Sequence, residues 1–156
     1  MRQSRFPLRI NVGFVLSMSS GDYRDIPLVF SSINLSPVLE LSDFKGTARF
    51  SKTGQGILLQ GDFEAWVNQN CTRCLEPFPY KISTEIQELY AFDERYVEEE
   101  GLLLPQDGFI DLAPLIREYL TMEIPIQPLC KTDCKGLCPE CGANLNQGAC
   151  VHQQKS

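Results

Sequence analysis

Phe44-Lys-Gly-Thr-Ala-Arg-Phe-Ser51, the turn Thr53-Gly-Gln-Gly56 and the run Ile57-Leu-Leu-Gln-Gly-Asp-Phe-Glu-Ala-Trp-Val-Asn68 decide the fold. In the first stretch Phe44, Gly46, Ala48 and Phe50 alternate with Lys45, Thr47, Arg49 and Ser51, which is the period of a strand with one face buried. The second alternates again and turns Leu59, Gly61, Phe63, Ala65 and Val67 inward. A glycine-bearing turn between two such runs predicts a hairpin. On its outer face Gln60, Asp62 and Glu64 are expected near Lys45 and Arg49, helping to fix register.

Working outward, Phe78, Tyr80, Ile82, Thr84 and Ile86 continue the alternation and predict a third strand, hence an antiparallel meander. Upstream, Ile26 to Ser31 and Pro37 to Leu41 read as one or two short strands, and Ile10 to Leu16 as another. Downstream, Asp93 to Glu100 is acidic and reads as a solvated loop. Leu112, Leu115, Ile116, Tyr119 and Leu120 recur at helical spacing behind Asp111, which predicts one main helix near 112–123 with Asp111 as its cap. Pro114 fits a first helical turn, and Pro125 and Pro128 lead the chain out in extended form. The expected class is α+β: a meander sheet and one helix over residues 1–129, followed by a cysteine-rich lobe over 130–156, too poor in apolar residues to bury its own core.

Hydrophobic residues at 43% and charged residues at 22% are those of a folding globular chain. The stretch after Arg2, Arg5 and Arg9 is too short and too interrupted for an export signal, and no apolar run approaches a membrane span. A reduced compartment and no membrane role are expected. Fourteen basic against twenty acidic residues give a net charge of -6, so the basic sheath that nucleic-acid phosphates require is missing and protein contacts are favoured.

All seven cysteines and the only histidine fall into two groups: Cys71-x2-Cys74, and Cys130-x3-Cys134-x3-Cys138-x2-Cys141-x8-Cys150-x-His152. Eight ligand-type residues are what two closed tetrahedral Zn²⁺ sites consume. A Cys-x2-Cys turn aims two thiolates at one ion while backbone amides hydrogen-bond to the sulfurs. In Cys138-Pro-Glu-Cys-Gly142, Pro139 pre-sets that turn and Gly142 accepts the positive φ it needs. Beside the other pair, Arg73 is placed to offset thiolate charge. Short loops favour Cys138, Cys141, Cys150 and His152 at one ion, leaving Cys71, Cys74, Cys130 and Cys134 to tie the C-terminal lobe back to the sheet. The swapped partition, Cys71 and Cys74 with Cys138 and Cys141, stays open, as does a single occupied site without Cys150 and His152. Iron remains an alternative where four thiolates meet. A redox thiol normally sits at a helix N-terminus, whereas Cys71 precedes a strand, so thiol chemistry is the weaker alternative. No hydrolytic constellation and no phosphate-binding glycine loop is present, and the chain is expected not to be an enzyme.

Cys71-Thr-Arg-Cys74-Leu-Glu76, the Asp111-Leu112 helix start and Pro128-Leu-Cys130-Lys-Thr-Asp-Cys134-Lys-Gly-Leu-Cys138-Pro-Glu-Cys141-Gly-Ala-Asn-Leu-Asn146 resemble the YceD family, the large ribosomal RNA subunit accumulation proteins. The resemblance runs from about Gly46 to Cys150 and carries the family's cysteines onto Cys71, Cys74, Cys130, Cys134, Cys138, Cys141 and Cys150. It implies a part in processing or accumulation of large-subunit ribosomal RNA, in bacteria or in chloroplasts; together with the absence of a catalytic constellation, the expectation is a non-catalytic factor of the bacterial cytoplasm or the chloroplast stroma. A ribosomal protein or a pre-ribosomal large-subunit particle is then the expected partner. Direct contact with ribosomal RNA through a basic patch of Arg73, Lys131 and Lys135 is the alternative.

Overall fold

Alternation of apolar and polar residues builds the sheet that organises this chain. The computed structural model describes residues 6–35, 39–97 and 101–154. In chain order the elements are β1 (Arg9–Asn11), α1 (Gly13–Leu16), β2 (Tyr23–Leu35), β3 (Leu39–Lys52), β4 (Gly56–Asn70), β5 (Pro77–Ala91), β6 (Leu102–Leu103), β7 (Phe109–Asp111) and α2 (Ala113–Met122). One-turn 3-10 helices lie at Glu94–Tyr96 and Val151–Gln154. The main sheet has the order β2-β3-β4-β5-β6, antiparallel from β2 to β5 and parallel between β5 and β6. β1 and β7 form a separate antiparallel ribbon that brings the N-terminal segment beside the start of α2. The architecture is α+β, as the alternation and the single helical stretch predict.

The register sets Phe50 opposite Leu59, Ala48 opposite Gly61 and Gly46 opposite Phe63. Phe44, Ala48, Phe50, Ile57, Leu59, Phe63, Ala65, Val67, Ile82 and Ile86 are all buried, so the expected inward faces are the observed ones. Each large apolar side chain removed from water stabilises the fold by roughly 1.5–3 kcal/mol. Gly46 and Gly61 have a packing reason: a Cβ on either would collide with the Phe63 ring, which lies across both and stacks on Phe44 at 5.6 Å. α2 packs against β5 and β2, with Ile116 and Leu120 fully buried and the Tyr119 hydroxyl donating to Glu88 Oε1 at 2.7 Å.

Several expectations need correction. Ile10 to Leu16 is not one strand: Asn11 Oδ1 accepts the Gly13 amide at 2.9 Å, the Val12 amide goes to the Gly108 carbonyl, and the chain breaks into a helical turn. Upstream of β3 there is one 13-residue strand instead of short pieces, with Leu39 to Leu41 already part of β3; Pro37 lies outside the described residues. Pro27 is tolerated inside β2 because an edge strand needs no amide on its open side. Leu112 has the backbone of the α2 cap, and Asp111 contributes its Oδ1 to the Ala113 amide at 3.0 Å. Lys45 meets Glu64 as expected, at 2.9 Å, whereas Arg49 turns to Asp25 on β2 at 2.7 Å. Within the acidic segment Asp93 accepts the Arg95 amide and starts a 3-10 turn; Glu98 to Glu100 lie outside the described residues. Among the described residues no helix is long and apolar enough to cross a membrane.

Candidate metal centres

β4 ends at Asn70, and the chain reverses into β5 through Cys71 to Leu75. The Cys71 amide donates to the Glu76 carbonyl and the Leu75 amide to the Cys71 carbonyl, both at 2.9 Å. This tight turn forces Leu75 to φ +62°. Cys138 to Gly142 repeats the same pair of bonds, Cys138 to Ala143 at 2.8 Å and Gly142 to Cys138 at 2.9 Å, with Gly142 at φ +75°. Two distant stretches thus fold into one knuckle. Only in the second does the sequence offer glycine where the left-handed conformation falls.

The first knuckle meets the segment that follows α2. The Thr72 amide donates to the Pro128 carbonyl at 2.9 Å, and Arg73 donates to the Cys134 carbonyl at 3.0 Å. Arg73 thus bonds to the backbone of the loop that carries Cys134, beside the first cluster. Cys71 and Cys134 sulfurs stand 3.7 Å apart, as do those of Cys74 and Cys130, and the four lie within 4.8 Å of one another. Cys71, Cys74 and Cys134 are 0%, 3% and 4% exposed, and Phe78, Leu129 and Leu137 pack around them. The second knuckle gathers Cys138, Cys141, Cys150 and His152, also within 4.8 Å, with His152 Nδ1 at 3.9 Å from Cys138 Sγ and 3.8 Å from Cys150 Sγ. Cys138 is buried, Cys150 half-buried, and Cys141 and His152 are exposed. The structure brings the eight residues together in the short-loop grouping and not in the swapped one.

Residues 59–156 match the family described as large ribosomal RNA subunit accumulation protein YceD. The chain belongs to this family. The matched region starts at Leu59 in β4, further along than the sequence resemblance suggested, and contains both cysteine clusters whole. Among relatives, an uncharacterized protein of Mycobacterium tuberculosis is 33% identical over 101 residues, 62% of this chain and 49% of that protein. A maize protein named large ribosomal RNA subunit accumulation protein YCED homolog 1, chloroplastic, is 30% identical over 123 residues, covering 58% and 41%. The Arabidopsis thaliana protein of the same name is 44% identical over 46 residues, covering 30% and 14%. The chain thus spans about half the length of the first curated relatives it matches. No solved structure matches it.

The chemistry of both YceD-family clusters suits a tetrahedral dication. Ligands about 2.3 Å from a central ion stand about 3.8 Å apart, the spacing observed between the sulfurs. None of the seven cysteines is joined in a disulfide. Burial pushes the Cys71 thiol up, but backbone amides of Cys74, Cys130 and Arg73 more than offset it and hold it at about 6. Burial and the neighbouring thiols of Cys74, Cys134 and Cys71 push Cys130 up to about 12. The Asn146 side chain, donating to Cys134 Sγ at 3.3 Å, holds that thiol below its ordinary value. In the second cluster the amides of Cys141 and Glu140 bring Cys138 down to about 7. Such a set has some thiolates ready and others still protonated, and a dication that binds it displaces the remaining protons.

Asn146 is the functional residue that the sequence reading passed over. Besides the sulfur bond, its Oδ1 accepts the Lys135 amide at 2.8 Å, so it spans the loop carrying Cys134. The signal for it was its place at the end of the Cys130–Asn146 motif, to which no role was attached.

Proposed function

We propose that this chain is a non-catalytic ribosome-biogenesis factor that promotes processing or accumulation of large-subunit ribosomal RNA. In this reading Cys71, Cys74, Cys130 and Cys134 hold one structural Zn²⁺, and Cys138, Cys141, Cys150 and His152 hold a second. The observation that carries it is the coincidence of the YceD-family region with both four-ligand clusters. The zinc sites supply folding, not chemistry: closed tetrahedral sets leave no open position for substrate. The metal-bound lobe over 130–156 then forms one recognition surface with the end of the sheet. Its partner is a ribosomal protein or a pre-ribosomal large-subunit particle, met in the bacterial cytoplasm or the chloroplast stroma, and the net charge of -6 favours a basic protein over bare RNA.

Depletion of the protein in its own host, with large-subunit ribosomal RNA measured against small-subunit ribosomal RNA, tests the role. A selective fall restored by the wild-type chain, but not by a Cys71→Ser/Cys74→Ser variant, is expected. An unchanged ratio contradicts the proposal. Binding of purified chain to ribosomal RNA that weakens steeply with added salt would instead favour direct contact through Lys131 and Lys135, which are exposed beside the first cluster.

A further inference from the structure

His152 uses both ring nitrogens. Nδ1 faces the sulfurs of Cys138 and Cys150, and Nε2 lies 3.3 Å from Glu140 Oε2. A neutral imidazole carries one proton, so if Nδ1 offers its lone pair to an ion, the proton sits on Nε2 and has the Glu140 carboxylate as its acceptor. Glu140 is well placed to impose this. It sits inside the knuckle between Cys138 and Cys141, and its backbone amide hydrogen-bonds to the Cys138 thiol. One residue therefore contacts two members of the cluster, one through backbone and the other through side chain.

Resting on the two-site zinc reading, we infer that Glu140 is a positioning residue for His152: its carboxylate fixes the ring with Nε2 protonated and Nδ1 presented to the ion. The need arises from exposure. His152 lies on a single 3-10 turn with its side chain 35% exposed, where packing alone does not fix a ring orientation. Carboxylates behind ligating histidines stabilise metal binding by about 10- to 100-fold, and an exposed pair belongs at the lower end.

The test uses the full chain, zinc competition against a chromophoric chelator, and the four-cysteine cluster as internal reference. Glu140→Ala is expected to weaken zinc about tenfold at the second cluster while leaving the first unchanged. Glu140→Gln, whose amide oxygen still accepts from Nε2–H, recovers most of that loss. His152 is the only histidine, so its Nε2–H resonance in the zinc-loaded chain is unambiguous. It is expected to exchange faster with water in Glu140→Ala and to slow again in Glu140→Gln. Unchanged zinc affinity and unchanged Nε2–H exchange in Glu140→Ala overturn the inference alone. A wild-type chain that takes up zinc only at the first cluster overturns the two-site reading, and this inference with it.

Discussion

The two cysteine knuckles have the same backbone and opposite tasks. Cys71-x2-Cys74 is built into the sheet between β4 and β5, its partners Cys130 and Cys134 arrive after an excursion through β5, β6, β7 and α2, and the cluster is buried. Cys138-x2-Cys141 draws its partners from the next dozen residues and is less buried, with Cys138 covered, Cys150 half-buried and Cys141 exposed. Loop closure across the first gap costs on the order of 1.5 kcal/mol more than across the second, and a metal that closes it removes that entropy from the unfolded chain. The first cluster thus joins parts of the fold, whereas the second shapes a local loop. Identical local geometry does not set energetic weight; the length and burial of what is joined do.

Breaking the first cluster should have the largest effect. Cys71→Ser/Cys74→Ser is expected to destabilise the chain by several kcal/mol and to release residues 130–150 to proteolysis, read by thermal unfolding and limited digestion, since a structural zinc site contributes folding free energy directly. Cys141→Ser, in the second cluster, should lose one zinc ion yet move the unfolding midpoint of the sheet by no more than about 0.5 kcal/mol equivalent. Equal effects from the two variants would erase the distinction.

The turn residue sharpens the comparison further. Gly142→Leu places a side chain at φ +75° with open space around it, so its cost is conformational, about 1–2 kcal/mol, and should appear as weaker zinc at the second cluster. A control away from both clusters is Tyr119→Phe, expected to cost about 0.5–1 kcal/mol by removing the bond to Glu88. That bond raises the Tyr119 hydroxyl from 10.0 to about 12. Its contribution is therefore present below pH 10 and lost as the pH rises from 10 to about 12, a loss the Phe variant should not show. Leu75→Gly should give the smallest change, a gain of about 0.5 kcal/mol, because relief at φ +62° is partly offset by the freedom glycine adds to the unfolded chain.

The strands β3 to β5 were legible because within each of them the inward residues repeat every second position, Phe44 to Phe50, Ile57 to Val67 and Phe78 to Ile86, with turn or cysteine-knuckle residues between. β2 was read too short, as Ile26 to Ser31, because the Ser and Asn residues that follow look like turn chemistry, whereas pairing with β3 carries the strand from Tyr23 to Leu35. The break after Asn11 combines a local bond from the Gly13 amide to the Asn11 side chain, which the Asn-Val-Gly sequence hints at, with a bond from Val12 to Gly108, nearly a hundred residues away, which it does not. At the candidate sites ligand types and spacing were visible, and loop length favoured the grouping the structure adopts. The parts played by Asn146 and by the Leu75 conformation were not, because both follow from contacts that exist only once the loops are folded.

Metal content per chain, by elemental analysis of protein purified without chelator and paired with a count of reactive thiols, tests the central claim most directly. Two zinc ions per chain with the seven thiols shielded is the expected result. A chain that carries no metal and shows freely reactive or disulfide-linked cysteines would contradict it.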